Sequence, residues 1–238
     1  MAVLAEDLVI VLRAAGDPAR VRGAQAYMKT RDPFFGVGAV PLRAALKPLY
    51  IAHRPGTQAE YLSQVAALWA IPEREGKYAA VEWARQFSPF ITLDALPLYE
   101  RMVRKGQWWD TVDAIAAHLV GRLLATQRDA MKPRMEAWNR DPDLWIRRTS
   151  LLAHLKHKAS TDHAQLFAHC LRLAGEKEFF IRKAIGWVLR TVAEQDPERV
   201  AAWIRPRLHR MSGLTRREAT RKLPEGLRVA LEAEAVAR

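Results

Sequence analysis

The segment Gln107-Trp108-Trp109-Asp110-Thr111-Val112-Asp113 places two adjacent tryptophans and two carboxylates ahead of an apolar run, Ala114 to Leu124. If the run is helical, Trp108, Val112, Ile115 and Leu119 make one stripe at core-facing spacing. Trp109, Asp113, Ala116 and Val120 make the neighbouring stripe, turned by about 100° per residue. One indole is therefore expected in the core, and the other on a face it shares with a carboxylate one turn on. An aspartate inside a helix is ordinarily a solvated acid. A bulky aromatic on the same face, followed only by small side chains, argues for a site instead.

A second constellation lies in Ile181-Arg182-Lys183-Ala184-Ile185-Gly186-Trp187-Val188-Leu189-Arg190. Ile181, Ile185, Val188 and Val192 form the buried stripe, which leaves Lys183, Trp187 and Arg190 on another face at i, i+4 and i+7. A tryptophan between two cations suits a nucleic-acid groove, with cations for phosphates and a flat apolar surface for sugar or base. On this helix alone, a tryptophan plugging the seam between packed helices fits equally well. Arg147, Arg148, Arg182 and Lys183 occupy matching places in neighbouring segments. If those segments stack, they line up as a basic track, which Arg216, Arg217, Arg221 and Lys222 extend.

The bulk figures agree with a polyanionic partner. The chain has 238 residues, half of them hydrophobic and 27% charged, with a net charge of +12 and a pI near 10.2. Solubility needs less charge than that. The single cysteine, Cys170, excludes an internal disulfide framework and a cysteine-rich zinc site. The seven histidines are scattered, and there is no phosphate-cradling glycine loop, His-Glu-x-x-His or Gly-x-Ser-x-Gly. Neither a metal nor a cofactor is expected. The first residues look like a helix start rather than a signal peptide, and no apolar run reaches membrane-spanning length. A cytoplasmic protein with no membrane partner is expected.

The elements that must position these residues are helices throughout. Amphipathic spacing predicts them over 2–15, 18–30, 40–52, 57–70, 74–87, 92–105, 108–124, 127–138, 142–157, 161–174, 178–194, 197–208 and 215–222. Asp17-Pro18, Asp141-Pro142 and Asp196-Pro197 each read as an N-cap followed by proline at the first helical position. Thr215-Arg216-Arg217-Glu218 fits a capping box. Trp108 to Trp145 spans 37 positions and Trp145 to Phe180 spans 35, with Leu144-Trp145-Ile146-Arg147-Arg148 echoed by Phe179-Phe180-Ile181-Arg182-Lys183. Such a period, with two helices per unit, predicts an all-α solenoid of HEAT-like helical hairpins, curved, with a concave basic surface. One domain over 1–238 is expected.

These motifs, with Tyr27-Met28-Lys29, Pro72-Glu73-Arg74-Glu75 and Arg216-Arg217-Glu218-Ala219, resemble the AlkD-like DNA alkylation repair glycosylases along essentially the whole chain. The resemblance implies a monofunctional glycosylase that removes cationic alkylpurines, chiefly 3-methyladenine and 7-methylguanine, from double-stranded DNA without extruding the base. It implies Asp113 at the anomeric carbon and Trp109 and Trp187 against the deoxyribose. It also places Arg148 toward the DNA backbone and Tyr27 at the border of the site, and Lys183 and Arg190 would hold phosphates. One departure is the loop Phe34-Phe35-Gly36-Val37, which continues with Gly38 where the family can carry a polar side chain. A monomer in a bacterial-type cytosol is expected.

The implied chemistry is self-consistent. An alkylated purine is already a cationic leaving group, so the charge that needs stabilising is the oxocarbenium ion on the sugar. A fixed carboxylate and two indole faces can supply that. The alternative is a non-catalytic HEAT-like DNA-binding or scaffold protein. An Asp113 pointing away from the groove, or tied in an ion pair inside the stack, reduces the repair-enzyme reading to that alternative, a DNA clamp.

Overall fold

The computed structural model describes residues 2–236, and no strand occurs among the described residues. They fold into two compact units, Met1–Met102 and Val103–Arg238.

The first unit contains α1 (Ala2–Ala15), α2 (Pro18–Met28), α3 (Ala39–Ala52), α4 (Gln58–Trp69) and α5 (Arg74–Gln86), and the border falls inside α6 (Leu96–Gly106). Leu4, Leu8 and Leu12 of α1 recur at the helical repeat and are buried with Leu42 and Leu46 of α3 and Tyr61, Val65 and Leu68 of α4. Asp17 caps α2 as its sequence suggests, accepting from the Ala19 amide at 2.9 Å. Glu75 captures the glycine-bearing loop that follows α2. Its Oε2 accepts from the Phe35 amide at 3.1 Å, and its Oε1 accepts from Gly36 and Val37 at 2.9 and 3.0 Å. Gly36 has φ +82°, and a Cβ there would stand 2.2 Å from the Asp17 carbonyl oxygen. The turn needs glycine twice over.

The second unit continues with α7 (Trp109–Ile115), α8 (Gly121–Thr126), α9 (Arg128–Trp138), α10 (Leu144–Leu152), α11 (His163–Leu173), α12 (Phe179–Ala193), α13 (Pro197–Ile204), α14 (Gly213–Thr220) and α15 (Glu225–Val236). It is a stack of helical hairpins. In one row α7 packs on α10, α10 on α12, and α12 on α14; α9, α11 and α13 lie behind, each against a member of that row. The repeat seen in the sequence is real in space. Trp108, Trp145 and Phe180 form one aromatic cluster, with centroids 6.1 Å apart for the two tryptophans, 5.4 Å for Trp108 and Phe180, and 4.9 Å for Trp145 and Phe180.

Four local expectations are corrected. The helix over 142–157 starts only at Leu144, capped by Asp143, which accepts from the Trp145 amide at 2.8 Å. Asp141 is drawn away to a bidentate pair with Arg104 at 2.7 and 3.1 Å. The predicted capping box at Thr215 is not used. Ser212 caps α14 by accepting from the Thr215 amide at 3.1 Å, which leaves Glu218 free for other partners. The helix over 108–124 is interrupted by a π turn over Ala116–Val120, and Trp108 is its extended N-cap, half-buried, rather than a core residue. The helix α15 was not expected, although Pro224 followed by Glu225 ahead of a helix-favouring run marks its start.

Candidate functional site

The row α7–α10–α12–α14 carries the site, because each helix contributes side chains from the same edge. Trp109 and Asp113 come from α7, Arg148 from α10, Phe179, Phe180, Lys183, Trp187 and Arg190 from α12, and Glu218 from α14. Together they line one cleft of about 340 Å³. Val112, Ile115 and Leu119 are fully buried, which fixes the turn of α7 that presents Asp113 outward. Ile181, Ile185, Val188 and Val192 are buried as their stripe predicts, and so Lys183, Trp187 and Arg190 face the cleft.

Asp113 is 14% exposed and Arg148 4%. Arg148 grips the carboxylate side-on, donating from Nε to Oδ1 at 2.7 Å and from Nη2 to Oδ2 at 2.8 Å. Its Nη1 donates to the Phe180 carbonyl, and its guanidinium carbon lies 5.8 Å from the Phe180 ring centroid. Burial raises the Asp113 carboxyl above the usual carboxylate range, while the hydrogen bonds and charge of Arg148 pull the other way. Of the two conditions that favour the non-catalytic alternative, the first is not met, because Asp113 lines the cleft, and the second is, because Arg148 ties it in an ion pair within the stack.

The two cations expected on phosphates share one acid. Glu218 Oε1 accepts from Lys183 Nζ at 2.6 Å and Oε2 from Arg190 Nη1 at 2.5 Å. Two more members of the predicted basic track converge on Glu176. Arg147 pairs with Glu176 at 2.8 Å, and Arg182 Nε donates to the Glu176 carbonyl at 2.8 Å. The cleft therefore carries three cations against two carboxylates.

Tyr27 is not among these residues. It lies in the first unit, 71% exposed, on a cleft of about 500 Å³ lined also by Arg20, Phe34, Gly36, Glu75 and Tyr78. Sequence reasoning missed the partners Glu218 and Phe179, although both sit inside segments it singled out. Phe179 is 56% exposed at the cleft, where it adds to an aromatic lining with Trp109, Phe180 and Trp187. No helix among the described residues is long and apolar enough to cross a membrane.

A family profile described as DNA alkylation repair enzyme matches residues 9–223. A solved structure described as a predicted DNA alkylation repair enzyme from Enterococcus faecalis superposes with a TM-score of 0.80 at 26% identity, over 88% of this chain and 97% of that one. No curated protein matches the chain. With the profile spanning all but the chain's two ends and the same stack of helices behind the cleft, the chain belongs to the family of DNA alkylation repair enzymes.

Proposed function

We propose that the protein is a monofunctional DNA glycosylase that frees cationic N3- and N7-alkylated purines, 3-methyladenine and 7-methylguanine, from duplex DNA, the first step of base excision repair. The observation that carries this reading is the convergence of Trp109, Asp113 and Trp187 on one cleft with Arg148, Lys183 and Arg190. The lesion departs with the electron pair of its glycosidic bond, becoming neutral, so no general acid is needed. Positive charge is left on the sugar. Asp113 stabilises that cation, the indoles of Trp109 and Trp187 flank it, and water adds at the anomeric carbon and gives up a proton.

Arg148 contributes by holding Asp113 ionised and aimed despite its burial. The bidentate grip uses two of the roughly four acceptor positions of the carboxylate, leaving the others for the sugar or a water. Lys183 and Arg190 act on DNA phosphates and Tyr27 borders the DNA, while the base stays in the stack rather than being extruded. Lys183 is tied to Glu218 at 2.6 Å and set among the phosphate contacts, which fits base removal without an imine to the sugar and without strand cleavage. The protein works as a monomer, without a cofactor.

The experiment is incubation of purified protein with methylated duplex DNA and chromatography of the freed bases. Release of 3-methyladenine and 7-methylguanine is expected, with no borohydride-trapped covalent complex. The ion pair between Asp113 and Arg148 favours a second reading, a non-catalytic DNA clamp, because a neutralised carboxylate has less to offer a cation. Duplex binding with no freed base would establish that reading in place of the first.

A further inference from the structure

The cleft contains an acid that the mechanism above does not use. Glu218 gives one oxygen to Lys183 and the other to Arg190. Each cation spends one donor on it, so two N–H groups of the ammonium and four of the guanidinium stay free. Glu218 is itself only 17% exposed. The hydrogen bond from Lys183, then that from Arg190, holds its carboxyl below the usual range against the cost of burial, so it stays charged at neutral pH.

The backbone is built to bring it there. The helices α12 and α14 touch at Gly186, where a Cβ would stand 2.3 Å from the Glu218 Cβ and 3.1 Å from the Thr215 carbonyl oxygen. Any side chain at 186 drives α14 outward and takes Glu218 with it. The cap at Ser212, rather than at Thr215, leaves the Glu218 carboxylate out of the helix end. A merely solvated acid requires neither feature.

We propose that Glu218 is a positioning residue that fixes Lys183 and Arg190 as one two-cation fork, setting the DNA backbone in register with Asp113 at the expense of binding strength; this rests on the glycosylase reading of the cleft. Two flexible cations held before DNA arrives lose less freedom on binding it. Correct register matters because a displacement of about 1 Å at the reacting atoms costs on the order of 100-fold in rate. The cost of the arrangement is a carboxylate beside the phosphates it helps to seat.

Two variants separate charge from placement. Glu218→Gln removes the charge at nearly constant shape, and Glu218→Asp keeps the charge but is one methylene too short to bridge both cations. Each is assayed for binding to undamaged duplex at stepped salt and for single-turnover excision at saturating methylated duplex, with folding checked by circular dichroism. Glu218→Gln is expected to bind about two- to fivefold tighter at low salt, with a steeper salt dependence by about one counterion. Its saturated rate should fall on the order of 10- to 100-fold. Glu218→Asp should lose rate without gaining affinity.

An unchanged saturated rate in Glu218→Gln overturns the proposal. So does a loss of affinity and rate together, which would mark Glu218 as structural support only. If the wild-type protein frees no base, the glycosylase reading fails by itself, and the binding arm still decides. Tighter, more salt-sensitive binding in the glutamine variant alone supports the fork, and equal binding by all three proteins refutes it.

Discussion

Each unit of the molecule has a cleft with a carboxylate in its wall, and the two carboxylates are held in different ways. Glu75, 1% exposed, is consumed by three backbone amides of the 35–37 loop. Those amides are fixed dipoles whose own need for an acceptor is satisfied by the same bonds, so Glu75 is a fastening for the chain. Asp113 is held by one guanidinium from a neighbouring repeat and lines a cleft together with Trp109 and Trp187. Burial alone does not distinguish a fastening from a reactive group. What distinguishes them is whether the acceptor capacity is spent on backbone or left facing a space that a ligand can fill.

The sharpest way to break this comparison is to neutralise both acids. Asp113→Asn is expected to cut single-turnover excision by about 10²–10³ while duplex binding in a gel or anisotropy assay survives. A rate within a few-fold of wild type would remove Asp113 from the chemistry. The same residue predicts a pH profile. In the proposed mechanism the active form is the carboxylate, and burial raises its pKa. Excision should therefore be at its plateau above that pKa and fall as pH drops through it, at a pH above the ordinary aspartate value of about 3.9. The Asn variant should show no such limb.

Glu75→Gln should act on stability instead. An amide can still accept from Gly36 and Val37, but it loses the acceptor for Phe35. A hydrogen bond to a charged group contributes about 1.5–3 kcal/mol, so a lower denaturation midpoint is expected, with faster amide exchange at 35–37. Excision at saturating DNA should change little. The tryptophans come next in size. A cation–π contact is about 0.5–2 kcal/mol, so Trp109→Ala or Trp187→Ala should each cost roughly two- to thirtyfold. If either costs more than Asp113→Asn in the same assay, the aromatic faces rather than the carboxylate carry the stabilisation.

Much of this was legible in the sequence because it depends on local periodicity. The stripes of α7 and α12 turn Asp113, Lys183, Trp187 and Arg190 toward one edge, and the spacings of 37 and 35 brought Trp108, Trp145 and Phe180 into one cluster. What stayed hidden depends on how neighbouring repeats sit against each other. Asp113 meets Arg148, and Lys183 meets Glu218, each pair 35 positions apart. Which acid a cation chooses there is decided by the offset between stacked helices, and no helical period encodes that offset. Even the start of α10 obeys it: Arg104 claims Asp141, and the cap passes to Asp143.

The mildest test concerns Tyr27, which the proposed function assigns to binding rather than chemistry. It is 71% exposed on the cleft whose acid is already spent on backbone, and Asp113, the acid proposed to stabilise the sugar cation, lines a different one. If Tyr27 only borders the DNA, its hydroxyl contributes one hydrogen bond, about 1 kcal/mol net. Tyr27→Phe should then weaken duplex binding by about fivefold and leave the saturated excision rate unchanged. A fall in that rate, with binding intact, would mean that the first unit also reaches the reacting atoms, and the division between a fastening acid and a reactive one would no longer follow the division between the two units.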